Sequence, residues 1–178
     1  MNNPIGIFDS GIGGVSILDK LKDMLPNENF IYLADNVNCP YGSKSKKEIF
    51  SLSYKNCEKL IELECKAIII ACNTATTNSI KKIREIISLP IIGIEPGIKP
   101  AINHTKTKNI GVLATEKTLD SKLFIETLND NKIHDIKIHE KIGYKLVEII
   151  EKDSFSKNEL YPILKSYLDP MINKNIDC

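Results

Sequence analysis

The stretch that decides the fold is "AIIIACNTATTNSIKKIREII", residues 67–87. It opens with an unbroken aliphatic run, Ile68 to Ile70, as expected for a strand covered on both faces. It ends with Ile80, Ile83, Ile86 and Ile87 at helical spacing. Between them lie Cys72, Asn73 and Thr74, where a buried strand surfaces and a helix begins. A strand that feeds a helix in this way is half of a βαβ unit.

The same pattern extends in both directions. "PIGIFDSGIGG" gives a strand over Ile5 to Phe8, then a tight turn. Ile17, Leu18, Leu21, Met24 and Leu25 form one helical face, closed by Pro26. "FIYLAD" predicts a strand over 30–35. Ser45 and Glu48 form a capping-box pattern, and Phe50, Tyr54, Cys57, Leu60 and Ile61 continue that helix's apolar side. Pro90 stops the helix that follows Cys72, and "PIIGIEP" starts a fourth strand.

The alternation restarts after Glu95. "NIGVLAT" and "IKIHE" read as strands; "TLDSKLFIETLND", "YKLVEIIEK" and "ELYPILKSYLDPMI" read as helices. The expected architecture is α/β, with two similar parallel-sheet domains. The first spans 1–97. The second, 98–178, is incomplete, because the chain stops at "NIDC" where a third strand is expected to begin.

Composition narrows the function. The chain has 178 residues, 42% hydrophobic and 26% charged, with a net charge of +1. That balance offers no general attraction to nucleic acid or membrane surfaces. Arg84 is the only arginine, and bidentate phosphate or base recognition leans on arginine. No apolar run reaches the length of a membrane span, and "MNNPIGIFDSG" lacks the pattern of a signal peptide, so a cytoplasmic location is expected. The cysteines are Cys39, Cys57, Cys65, Cys72 and Cys178, with no C-x-x-C pair. The histidines are His104, His134 and His139. These spacings argue against a metal site.

In an open parallel sheet, ligands bind beyond the carboxyl ends of the strands. Three such ends carry small polar residues: Asp9 and Ser10, Asp35 to Ser43, and Cys72 to Thr74. Thr115 stands at the corresponding end of "GVLAT". Gly11, Gly13 and Gly14 match neither the dinucleotide fingerprint nor the P-loop, and read as turn glycines. Asp9 suits either a helix cap or a catalytic carboxylate. Tyr41 suits either a loop anchor or a ligand contact. Cys57 and Cys65 read as structural, and the role of Cys39 stays open.

Cys72 is the sharper case. A strand cysteine is commonly plain core. Cys72, however, is the last residue of its run, and a helix N-terminus behind it is expected to lower its thiol pKa from the usual value of about 8.5. Asn73, Thr74 and the free amides of that terminus form a cradle for a carboxylate. A thiolate beside an anion cradle is what proton removal next to a carboxyl group requires.

Taken together, "GIFDSGIGG", "YLADNVNCPYGSKS", "ACNTAT", "PIIGIEPGIKPA" and "IGVLATEKTLDS" resemble, in order and spacing, the glutamate racemase family within the aspartate/glutamate racemase superfamily. The resemblance runs over nearly the whole chain. It implies two similar α/β domains with the active site between them, no cofactor, and interconversion of L- and D-glutamate for peptidoglycan. Two cysteines on opposite faces of the substrate α-carbon would share the proton transfer.

On this resemblance Cys72 is the first catalytic cysteine and Asp9 assists it. Asp9 and Ser10, Tyr41 and Gly42, and Asn73 and Thr74 are substrate-contacting pairs, and Thr115 and Thr118 are the second domain's contribution. The family's second cysteine lies in a "GCTHYP"-like motif that this chain does not contain. Cys178 follows an aspartate much like the family's, but falls short of the catalytic position and is not given that role. The resemblance therefore implies either a fragment of a longer product or a truncated racemase, with little two-way racemisation and some exposed apolar surface. A racemase for a related amino acid such as aspartate, and a non-catalytic amino-acid-binding remnant, are the alternatives. A homodimer is compatible with the sequence without being fixed by it.

Overall fold

The computed structural model describes residues 3–129, 135–152 and 156–178. His134 lies outside them. The chain forms two compact units, 1–95 and 96–178.

The first unit is a four-stranded parallel sheet. Its strands are β1 (Ile5–Asp9), β2 (Phe30–Ala34), β3 (Ala67–Ile70) and β4 (Ile91–Gly93), in the order β2-β1-β3-β4. Three helices connect them: α1 (Val15–Met24), α2 (Lys46–Glu62) and α3 (Asn73–Ile86). Strand alternation divides the core between the two faces. Ile7, Ile69 and Ala71 pack against Ile17, Leu18 and Leu21 of α1. Gly6, with its opposite parity, lets Leu60 and Cys65 approach so closely that an added Cβ would stand 2.9 Å from Leu60 Cδ1. Ser45 and Glu48 form the expected capping box at the start of α2.

The helix faces differ in detail from the sequence expectation. Met24 and Leu25, at the frayed end of α1, are exposed, as are Ile61 and Ile86. On α2 the buried face is Ile49, Ser53, Cys57 and Leu60. Phe50 and Tyr54 instead stack on each other, with the Lys82 ammonium 4.2 Å from the Phe50 ring centroid. Ile92, within the edge strand β4, is 53% exposed.

Gly93 shows how tightly α3 sits on the sheet. A Cβ there would overlap Ile80 Cδ1 and lie 2.6 Å from Thr76 Cγ2. Thr76 cannot simply turn away, because its hydroxyl donates to the Ile70 carbonyl at 3.0 Å. Gly93→Ala is therefore expected to cost about 1–3 kcal/mol, read as a lower urea midpoint at unchanged slope.

The second unit begins with α4 (Ile98–His104) and pairs β5 (Asn109–Ala114) in parallel with β6 (Lys137–Ile142). Its core is Ile98, Ile110, Val112, Leu119 and Phe124. The helix expected over 118–130 is broken into α5 (Glu116–Leu119) and α6 (Lys122–Leu128). Ser121 is the reason: its hydroxyl donates to the Thr118 carbonyl at 2.7 Å and accepts the Phe124 amide at 3.2 Å, ending one helix and capping the next. α7 (Leu146–Ile150) is shorter than its apolar pattern, starting after Lys145 in the left-handed region at φ 64°. α8 (Lys157–Ile172) starts a half-turn earlier than expected, capped by Ser156.

The terminal residues lie along β5, with the Gly111 amide donating to the Cys178 carbonyl at 2.8 Å. Asp177 fastens this segment. Its carboxylate accepts from Thr105 Oγ1 at 2.6 Å and from the Lys106 and Thr107 amides at 2.7 and 3.0 Å. These bonds, led by that from Thr105, hold the Asp177 carboxyl well below the usual carboxylate range. A depressed folded value gives stability that is present above the unfolded value of 3.8 and is lost as pH falls through the folded one. Lys106 and Thr107 amide protection should thus persist down to about pH 4 and fade at more acid pH, while Asp177→Asn should weaken it at pH 6, as hydrogen exchange will report.

Candidate active site

The carboxyl ends of β1 and β3 are adjacent, and this places Asp9, Ser10 and Cys72 together. All three are buried: Asp9 is 6% exposed, Ser10 9% and Cys72 7%. The Ser10 hydroxyl lies 3.3 Å from both Asp9 Oδ1 and Cys72 Sγ. The Ser10 amide donates to Asp9 Oδ1 at 2.6 Å. The Gly14 amide and the Cys72 thiol are further polar neighbours that favour its charged form.

The glycine turn has a different purpose from the one its composition suggests. None of the described glycines adopts positive φ. Gly14 is needed for space: a Cβ there would stand 2.9 Å from both Asp9 Oδ2 and Ala71 Cβ. Gly14→Ala should therefore displace the Asp9 carboxylate and change the Cys72 alkylation rate, with little loss of helix content.

Cys72 caps α3, its sulfur accepting the Ala75 amide at 3.4 Å. The expectation of a lowered thiol pKa is overturned. Burial, then the neighbouring Asp9 carboxylate, push the thiol up to about 11. The bonds from Ser10 and Ala75 pull the other way and are outweighed. A helix terminus stabilises a thiolate, but desolvation next to a carboxylate penalises it more. Burial likewise raises Asp9 above its ordinary value, against the bonds that favour its charged form. At neutral pH the Cys72 thiol is neutral, with the Ser10 hydroxyl 3.3 Å from both its sulfur and Asp9 Oδ1.

Thr74 is buried in the first turn of α3 and Asn73 is exposed at its start. Tyr41 begins a 3-10 turn over Tyr41–Ser43 that includes Gly42. Its ring is buried, 6.1 Å from the Phe8 ring, and its hydroxyl donates to Asp35 Oδ2 at 2.6 Å. Tyr41 is thereby a loop anchor through its side chain, and its carbonyl accepts the Lys44 amide at 3.1 Å. In the second unit, Thr115 caps α5 at the end of β5, its hydroxyl 3.0 Å from that of Thr118.

Several structural partners were not singled out by sequence reasoning. Tyr32 donates to the Gly11 carbonyl at 2.7 Å and steadies the Ser10–Gly11 turn. Asp35 and Asn56 hold the Tyr41 phenol. The signal for Asn56 was its polarity beside an apolar helical face. Cys57 and Cys65 are buried, as expected, with burial pushing Cys57 up to about 12. His139 pairs with Asn109 Oδ1 at 3.0 Å, within the second unit. Among the described residues, no group of three His, Cys, Asp or Glu side chains is arranged to hold a metal ion, and no helix is long and apolar enough to cross a membrane.

The family model described as Asp/Glu/hydantoin racemase matches residues 5–178. The chain belongs to this racemase family. A glutamate racemase from Ralstonia pickettii is 42% identical over 174 residues, covering 98% of this chain and 61% of the relative. A glutamate racemase isoform from Bacillus anthracis superposes with a TM-score of 0.84 at 32% identity, covering 98% of this chain and 66% of that one. The glutamate racemase of Francisella tularensis, solved in complex with D-glutamate, gives a TM-score of 0.82 at 34% identity, with the same 98% and 66% coverage. This member of the family spans about three fifths of the length of the curated relatives it matches. Its parallel-sheet α/β fold is that of the solved glutamate racemases.

Proposed function

We propose that this chain carries the first half of a cofactor-independent, two-thiol glutamate racemase site, whose activity would supply D-glutamate for peptidoglycan. The observation that carries the reading is the buried Asp9–Ser10–Cys72 cluster, set at the N-terminus of a long helix. The Francisella neighbour, solved in complex with D-glutamate, supports that substrate class.

In this reading Cys72 is the base for one face of the α-carbon. Asp9 relieves it of its proton, a transfer favoured by the carboxyl's raised basicity. The substrate ammonium entering beside the sulfur favours the thiolate by direct attraction. Ser10, Asn73, Thr74 and the backbone of Tyr41 and Gly42 bind the substrate carboxylates, where amides aimed at developing charge stabilise the carbanion. Thr115 and Thr118 are the proposed contribution of the second unit. Cys178 is not assigned as the second thiol. A cytoplasmic location fits this role.

Calorimetric titration tests the substrate. Glutamate should bind about 10- to 200-fold more tightly than aspartate, the range that one methylene supports. Equal or tighter aspartate binding would transfer the site to a related amino acid. Glutamate binding without any α-proton exchange would favour a binding remnant.

A further inference from the structure

We propose that Asn56 is a positioning residue for this site, acting through Tyr41 and Asp35 to fix the Tyr41–Gly42 backbone; the proposal rests on the reading of that backbone as a glutamate contact. Asn56 lies within α2, 21 residues from Asp35 and 15 from Tyr41. One N–H of its side-chain amide donates to the Leu52 carbonyl at 2.9 Å, and the other is shared between Asp35 Oδ2 and the Tyr41 hydroxyl, each at 3.2 Å. The Tyr41 hydroxyl in turn donates to the same Asp35 oxygen at 2.6 Å. Asp35, Tyr41 and Asn56 therefore form a closed ring of hydrogen bonds. Asp35 also accepts Asn38 Nδ2 at 2.8 Å, so the segment between β2 and α2 is pinned at both of its polar turns.

The ring has a defined mechanical consequence. Tyr41 is 1% exposed, so its phenol offers nothing to a ligand. Its ring packs on Phe8, the residue before Asp9, with the ring centroids 6.1 Å apart. Anchoring the phenol fixes the rotation of the short turn that follows, and with it the Tyr41 and Gly42 amides. Asp35 alone would hold the phenol by one bond. Asn56 adds a shared N–H to both members and ties them to α2. Small displacements of positioning groups are costly for binding and rate.

The test uses the full 178-residue chain and site-resolved alkylation of Cys72 by iodoacetamide. The reading is the glutamate concentration that halves the alkylation rate, with the melting temperature taken alongside. Asn56→Ala should raise that concentration about tenfold. Tyr41→Phe, which removes only the hydroxyl, should reproduce the effect, and the double variant should add little, as expected for members of one network. Cys57→Ala, a fully buried neighbour on α2 outside the ring, should lower the melting temperature and leave the protecting concentration unchanged. Unchanged protection in both Asn56→Ala and Tyr41→Phe would overturn the proposal, as would equal weakening by Cys57→Ala. Absence of glutamate protection in the parent chain would overturn the functional reading itself, and this proposal with it.

Discussion

Cys72→Ser should lower α-deuterium uptake into glutamate by roughly 10²- to 10⁴-fold, the usual contribution of a positioned acid or base. Serine keeps the cap on α3, because its oxygen can accept the Ala75 amide as the sulfur does at 3.4 Å. Fold and glutamate binding should therefore survive the change, and the loss should fall on proton transfer. A hydroxyl is far too weak an acid to supply a base at neutral pH, even with Asp9 beside it. The comparison is made by mass spectrometry of glutamate recovered from deuterated buffer. Uptake within a few-fold of the parent would remove Cys72 from the reaction.

Asp9→Asn separates acidity from catalysis. Asp9 is the second cause, after burial, of the raised Cys72 thiol. Removing its charge lowers the thiol pKa from about 11, so more thiolate is present at pH 8 and alkylation should accelerate. Deuterium uptake should nevertheless fall, by roughly 10²-fold, because the carboxylate proposed to accept the thiol proton is gone. The opposite signs follow from the proposed roles: one carboxylate disfavours the resting thiolate and, on the proposed reading, serves its formation during reaction. If alkylation and uptake rose together, Asp9 would be only a brake on the thiol. If alkylation slowed, the electrostatic account of Cys72 would be wrong.

The legible parts of the fold were those governed by local sequence. Continuous runs such as Ile68 to Ile70 mark strands covered on both faces, and β3 lies between β1 and β4. Ser45 with Glu48 announced the start of α2, and both halves of that box are formed. The departures came where tertiary context decides. Met24 and Ile86 fit a helical stripe but stand exposed, because periodicity cannot say how far the neighbouring sheet extends. Ser121 broke an apolar pattern through two side-chain bonds that spacing does not reveal.

The site divided along the same line. Asp9, Ser10 and Cys72 were recognisable as residues at strand ends, and the sheet order makes them neighbours. The direction of the Cys72 shift was not legible, because it depends on burial and on a carboxylate brought from 63 positions away in the chain. Gly14 was readable as special, but its reason is room for Asp9 rather than a left-handed turn. Asn56 left only a faint trace, a polar residue beside an apolar face, since its partners come from the preceding strand end and loop.

The most direct measurement is chirality-resolved deuterium uptake by the parent chain, with L- and D-glutamate offered separately in deuterated buffer. With Cys72 as its only assigned base, the chain should label the α-carbon of one enantiomer and return it with configuration unchanged. Equal labelling of both enantiomers with full inversion would contradict the assignment of a single thiol, and labelling that persists in Cys72→Ser would contradict the assignment of that thiol to Cys72.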